Sequence, residues 1–156
     1  MEKDENQLKY ENYKEQFTRL KSALNSGFNL EAMFIEYAIM EDRTESILRH
    51  ADKWEAYLKS RKGREPTINS KVVYIQKLAA MNNDLLHRYF SDDLLAQILT
   101  WKEERNRLIH ALLKQQLEHN EIRTLAEQGK LLVDELRKRA GNYNRLIDRR
   151  KEMNHE

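Results

Sequence analysis

Arg105-Asn106-Arg107-Leu108-Ile109-His110 gathers a permanent cation, an amide and an imidazole within two helical turns. The arginine guanidinium stays charged at any physiological pH and presents a forked set of donors that fits a phosphate. Histidine is the side chain whose charge changes near neutral pH. Asn106 and His110 stand one turn apart, on one helical face. These types suit RNA cleavage without a metal. A base takes the proton of the 2′-hydroxyl, a cation stabilises charge growing on the phosphoryl oxygens, and a polar neighbour holds both. In this chemistry His110 is the base, or the acid for the leaving oxygen. Arg105 contacts the phosphate, and Asn106 orients His110 or a backbone group. Arg105 and His110 are about 140° apart around a helix and about 7.5 Å apart along it. One helix does not aim both at one atom, whereas two copies about a two-fold axis would bring two Arg and two His to one cleft. The plain alternative is that Arg105 bonds an acid such as Glu41 and that His110 is an ordinary buried helix histidine.

The element that must carry these residues is a helix over 92–117. Leu94, Ile98, Trp101, Leu108 and Leu112 recur at helical spacing, and Arg105 falls on the same stripe. A guanidinium on a core-facing line is costly unless paired or used. Ser91 is the expected N-cap, with Asp92 and Asp93 favourable in the first turn.

Arg105-Asn106-x-x-x-His110 resembles the R-[polar]-x(3–4)-H motif of HEPN domains. These are small all-helical domains, many of them metal-independent ribonucleases of toxin, phage-defence and RNA-processing systems. Glu36-Tyr37-Ala38-Ile39-Met40-Glu41-Asp42-Arg43 is similar to the acidic segment on an earlier helix of several HEPN groups. The resemblance spans roughly 28–117. It implies an all-α, HEPN-like up-and-down bundle of about five helices, homodimeric, with the motifs at the two-fold interface. It further implies RNA as substrate, products with 2′,3′-cyclic phosphate and 5′-hydroxyl ends, and no cofactor or metal. A nucleotidyltransferase-type antitoxin is a common partner in the family. The other expectation from the same residues is a HEPN-like module that binds RNA, a nucleotide or a protein and cuts nothing.

Six further helical segments complete the reading. A first helix over 5–24 ends at Gly27, a residue suited to the left-handed C-terminal cap. Asn29 is the expected N-cap of a second helix reaching about His50. Its first half is apolar on most sides, the mark of a central helix, and Phe34 and Tyr37 are expected in the core with Ile98, Leu108 and Leu112. Glu41 then stands where a core residue is expected. It is a helix end emerging into water, or the partner of Arg43 or Arg105 in a salt bridge, or an acid that supports the site together with Asp42. A short helix over 51–59 and a loop at Ser60-Arg61-Lys62-Gly63-Arg64-Glu65-Pro66 follow. Thr67 caps a third long helix. Asn82-Asn83 loosens the chain, and 85–90 is a short helical piece.

The last helix is capped by Asn120, with a break or kink expected near Gly141. Its end, 137–151, is basic, and Arg137, Lys138, Arg145 and Arg149 are candidate phosphate contacts. The alternative is a solvated face with cations favoured at a helix C-terminus.

A length of 156 residues fits one domain, 1–156, with a real core. The chain has no cysteine, which excludes disulfides and thiolate metal sites. Only four glycines leave no phosphate-binding glycine loop. Glu152-x-x-His155 is a single Glu-x-x-His, where a di-iron bundle needs two. A formal net charge of +2 is too small to argue nucleic-acid binding by itself. Met1-Glu2-Lys3-Asp4-Glu5 leads into no apolar run, so the expectation is a cytoplasmic chain without a secretory signal or membrane span.

Overall fold

The computed structural model describes residues 4–81 and 85–155. Among these residues the chain is all-α. The helices are α1 (Glu5–Asn25), α2 (Asn29–His50), α3 (Trp54–Ser60), α4 (Ile68–Ala80), α5 (Leu85–Phe90), α6 (Leu94–Ala111) and α7 (His119–Met153). Five are long, and the short α3 and α5 raise the number of helices above the expected five. No helix among the described residues is long and apolar enough to cross a membrane. Met1 to Lys3 and Asn82-Asn83 lie outside the described residues.

Local chemistry explains several helix ends. Gly27 adopts φ +76°, and the Phe28 N–H returns to the Ala23 carbonyl at 2.8 Å, closing α1 as the sequence leads one to expect. Thr67 starts α4 with a reciprocal capping box: its hydroxyl accepts from the Ser70 N–H while the Ser70 hydroxyl accepts from the Thr67 N–H. Other ends differ from expectation. The carbonyl that accepts the first bond of α2 belongs to Phe28, so Asn29 is the first helical residue rather than the cap. At α6 the side chain that accepts from the helix is Asp92, bonded to the Leu94 N–H at 3.3 Å, and not Ser91. α7 starts at His119 and runs unbroken through Gly129 and Gly141, so the expected break near Gly141 does not occur.

The chain forms two compact units. The first comprises residues 1–39 and 101–130: α1, the start of α2, the end of α6 and the start of α7. Leu20, Met33, Trp101, Leu108 and Ala126 are buried in it. The Trp101 indole N–H donates to the Leu125 carbonyl at 2.9 Å, tying α6 to α7. The second unit comprises residues 40–100 and 131–156. Ile47, Tyr57, Ile75, Phe90, Ile98 and Tyr143 are buried in it. The Tyr143 ring meets Phe90 edge-on at 6.1 Å, and Asn144 donates to the Ser46 hydroxyl at 3.0 Å.

Ile98 and Leu108 are buried as the periodicity predicts, but Phe34 and Leu112 are not. Phe34 is 68% exposed. On α2 the covered side is Ala32, Met33, Ile35, Glu36 and Ile39, and Leu30, Phe34 and Ala38 form an outward stripe at helical spacing. A helix apolar all round therefore has one apolar face left over. Leu112 is exposed because α6 stops at Ala111 instead of running to residue 117. Leu113, just beyond, is fully exposed. Helix propagation needs burial as well as propensity, and here Leu112 to Gln116 are exposed.

Candidate functional site around Arg105

Arg105 and Asn106 are half-buried on α6, in the first unit. The Arg105 guanidinium lies over the Tyr37 ring of α2, its Cζ 4.4 Å from the ring centroid. It donates through Nη1 to the Asn106 Oδ1 at 3.1 Å. Its Nε is buried and has no hydrogen-bond partner among the described residues. Burial pulls the guanidinium below its ordinary pKa, but a guanidinium is a permanent cation in a protein. No carboxylate among the described residues forms an ion pair with it. Arg105 is thus a cation held in place by a π-face and an amide, with its charge uncompensated. Asn106 orients Arg105 rather than His110. His110 is exposed in the last turn of α6, without a hydrogen bond to Arg105 or Asn106. The fold thus groups Arg105, Asn106 and Tyr37, and leaves His110 facing solvent.

The expected supporting acids have other partners. Glu41 faces Lys71 of α4: the Lys71 Nζ is 3.6 Å from its Oε1 and donates to its backbone carbonyl at 3.1 Å. Lys71 is buried, and burial lowers its pKa. Asp42 pairs with Arg43 next to it. Glu41 continues the outward stripe of Leu30 and Phe34, which is why an acid is tolerated there. It serves as counter-charge to a buried lysine in the second unit.

The acid buried in the first unit is Glu36, quoted above only as the start of a longer segment. Its side chain is fully buried, and neither carboxyl oxygen has a hydrogen-bond partner among the described residues. Burial pushes its pKa up to about 9 against a small opposing pull from Lys130, so it is neutral at pH 7. Glu36 fits because residue 129 on α7 is glycine. A Cβ there would lie 2.0 Å from Glu36 Oε2 and 2.8 Å from Trp101 Cζ2. An acid inside the run Met33-Phe34-Ile35-Glu36-Tyr37, with a glycine inside a long helix, is the sequence signal for this contact.

In the second unit the basic end of α7 includes cations paired with acids and others without an acid partner among the described residues. Arg139 bonds Asp92 at 2.6 Å and Glu135 at 2.7 Å. Lys151 bonds Asp52, and Arg137 is half-buried. Lys138, Arg145 and Arg149 are exposed and fall within about 40° on one helical stripe. Arg145 and Arg149 line a shallow recess of about 230 Å³ with Tyr89 and Asn142, and Arg145 donates to the Asn142 amide oxygen. Among the described residues no group of three or more His, Cys, Asp or Glu side chains is placed to hold a metal ion. Comparison with family models, with curated proteins and with solved structures finds no match to this chain.

Proposed function

We propose that the chain is a metal-independent endoribonuclease of HEPN type, acting as a homodimer. The observation that carries this reading is the state of Arg105: half-buried, charged, stacked on Tyr37, fixed by Asn106 and lacking a carboxylate. An anion from outside, such as an RNA phosphate, completes that arrangement. His110 takes the proton of the 2′-hydroxyl. The 2′-oxygen attacks phosphorus, the bond to the 5′-oxygen breaks, and a proton is delivered to that oxygen. The products carry 2′,3′-cyclic phosphate and 5′-hydroxyl ends.

Because Arg105 and His110 diverge on one helix, a second copy supplies the complementary group. Apolar side chains left exposed in the first unit support such a pairing: Leu30 and Phe34 on α2, Ile109 in the last turn of α6, and Leu112 and Leu113 just beyond it. Lys138, Arg145 and Arg149 add exposed cations for further phosphates. A role as toxin or phage-defence effector, held in check by a nucleotidyltransferase-type antitoxin in the cytoplasm, follows from the same resemblance. The test is cleavage of mixed RNA by purified protein in EDTA, with analysis of the product ends.

A second reading rests on the separation of His110 from Arg105 within the chain. If no second copy completes the site, Arg105 and Asn106 form a binding module that holds RNA without turnover. RNA retained on the protein and recovered uncut would favour that reading.

A further inference from the structure

We propose that a cleft in the second unit, formed by the C-terminal end of α2 with α4, α5 and the last turns of α7, binds a nucleoside monophosphate. The base would lie on the apolar floor, and the phosphate would sit at Lys53 and Arg150. The cleft has a volume of about 520 Å³, within the range of roughly 300–1,000 Å³ usual for small-molecule sites. It uses neither Arg105 nor His110, so it stands or falls independently of the ribonuclease reading.

The rim is a built structure. α2 ends with Asp52 in the left-handed region, φ 54°, and the Lys53 N–H returns to the Leu48 carbonyl at 2.9 Å. From α7, the Lys151 ammonium donates to the His50 carbonyl and to Asp52, each at 3.2 Å. That contact places a cation at the negative end of α2 and neutralises Asp52, the one acid among the described residues that line the cleft. Lys53 and Arg150 remain, both exposed and without an acid partner among the described residues. The rim thus has unspent positive charge.

The floor offers a surface for a flat ring. Tyr74 is half-buried and held edge-on against Tyr57 at 5.6 Å, and the Tyr57 hydroxyl is bonded to Ser70 at 2.7 Å. Leu78 and Ile147 lie beside it, and Met81 is 67% exposed. Soft methionine and aromatic surface stacks well on planar ligands. Asn154 on the same wall supplies a polar group for the edge of a base, while the His50 ring is held through Nδ1 at the Ser46 carbonyl, 2.9 Å away, with its Nε2 3.7 Å from Asp148. A long alkyl acid is a poorer match, because the lining mixes polar and apolar groups and offers no closed apolar tunnel.

Isothermal titration of the full chain with AMP, adenosine, ribose 5-phosphate and decanoate tests this. AMP should bind one to one, and adenosine and ribose 5-phosphate each roughly tenfold or more weaker. Lys53→Glu combined with Arg150→Glu should weaken AMP roughly tenfold or more and leave adenosine unchanged. Both side chains are exposed, and circular dichroism checks that the variant folds. Arg105→Ala should bind AMP like the unaltered chain. The proposal is overturned if AMP does not bind at millimolar concentration. It is equally overturned if the double variant binds AMP unchanged, or if decanoate binds and AMP does not.

Discussion

Arg105 and Tyr37 face each other across α6 and α2, guanidinium over ring at 4.4 Å, and this contact stands where a salt bridge would be expected. A carboxylate in that place would cancel the charge, whereas a ring positions it and leaves it available to an anion. Tyr37→Phe should therefore keep RNA cleavage within a few-fold of the unaltered chain. Tyr37→Leu should lose about tenfold, in line with a partly desolvated cation–π contact of about 1–2 kcal/mol. Initial cleavage rates at saturating RNA check this, and a larger loss in Tyr37→Phe than in Tyr37→Leu would contradict it.

The Glu36 carboxyl gives a stability signature with a definite sign. Its pKa in the folded chain is about 9 against an ordinary 4.5, so the folded state holds the proton more tightly than the unfolded state. The stability from this group is fully present below the unfolded value. It falls as pH rises through the window from 4.5 to about 9, and is level above that. The slope within the window is about 1.4 kcal/mol per pH unit, so the loss by neutral pH is on the order of 3 kcal/mol. Glu36→Gln should flatten this dependence. Urea unfolding of both proteins at about pH 5 and about pH 8 measures it, and parallel pH dependence in the two would refute the assignment.

Two glycines of one helix should respond oppositely to alanine. Gly141 has no atom within 4 Å of a built Cβ, so Gly141→Ala should stabilise by up to about 1 kcal/mol. Gly129→Ala drives a methyl into Glu36 and Trp101, and should destabilise by about 1–3 kcal/mol or more despite better helix propensity. Combining it with Glu36→Ala should recover part of the loss. Thermal melts of the variants decide the signs.

Glu41 separates support of fold from support of chemistry. Its removal leaves Lys71 buried without its carboxylate. Glu41→Ala should cost about 1–3 kcal/mol of stability and leave RNA cleavage per folded molecule unchanged. A cleavage loss of a hundredfold or so, with stability intact, would restore Glu41 to the site.

The helical class and several helix ends were legible because local chemistry decides them: Thr67 with Ser70, and Gly27 with its positive φ. Arg105 and Asn106 stood out because a charge interrupts an apolar stripe. What was not legible depends on which face is covered. Apolar spacing alone does not say which side of α2 meets neighbours, and it puts Phe34 inside. Leu112 to Leu117 contain no glycine or proline to stop a helix, so its end at Ala111 is set by missing burial. Tyr37 beneath Arg105, Glu36 against Gly129 and Lys71 behind Glu41 are contacts between segments distant in sequence, and only the packing of helices brings them together.

The central claim is tested most directly by incubating RNA in EDTA with the unaltered chain, His110→Ala and Arg105→Ala, and analysing the product ends. The unaltered chain should yield 2′,3′-cyclic phosphate and 5′-hydroxyl ends. His110→Ala should be slower by about 10²–10⁴-fold with RNA affinity largely kept, and Arg105→Ala should be similarly impaired. Cleavage that EDTA abolishes, or equal rates in the unaltered chain and His110→Ala, would contradict the account.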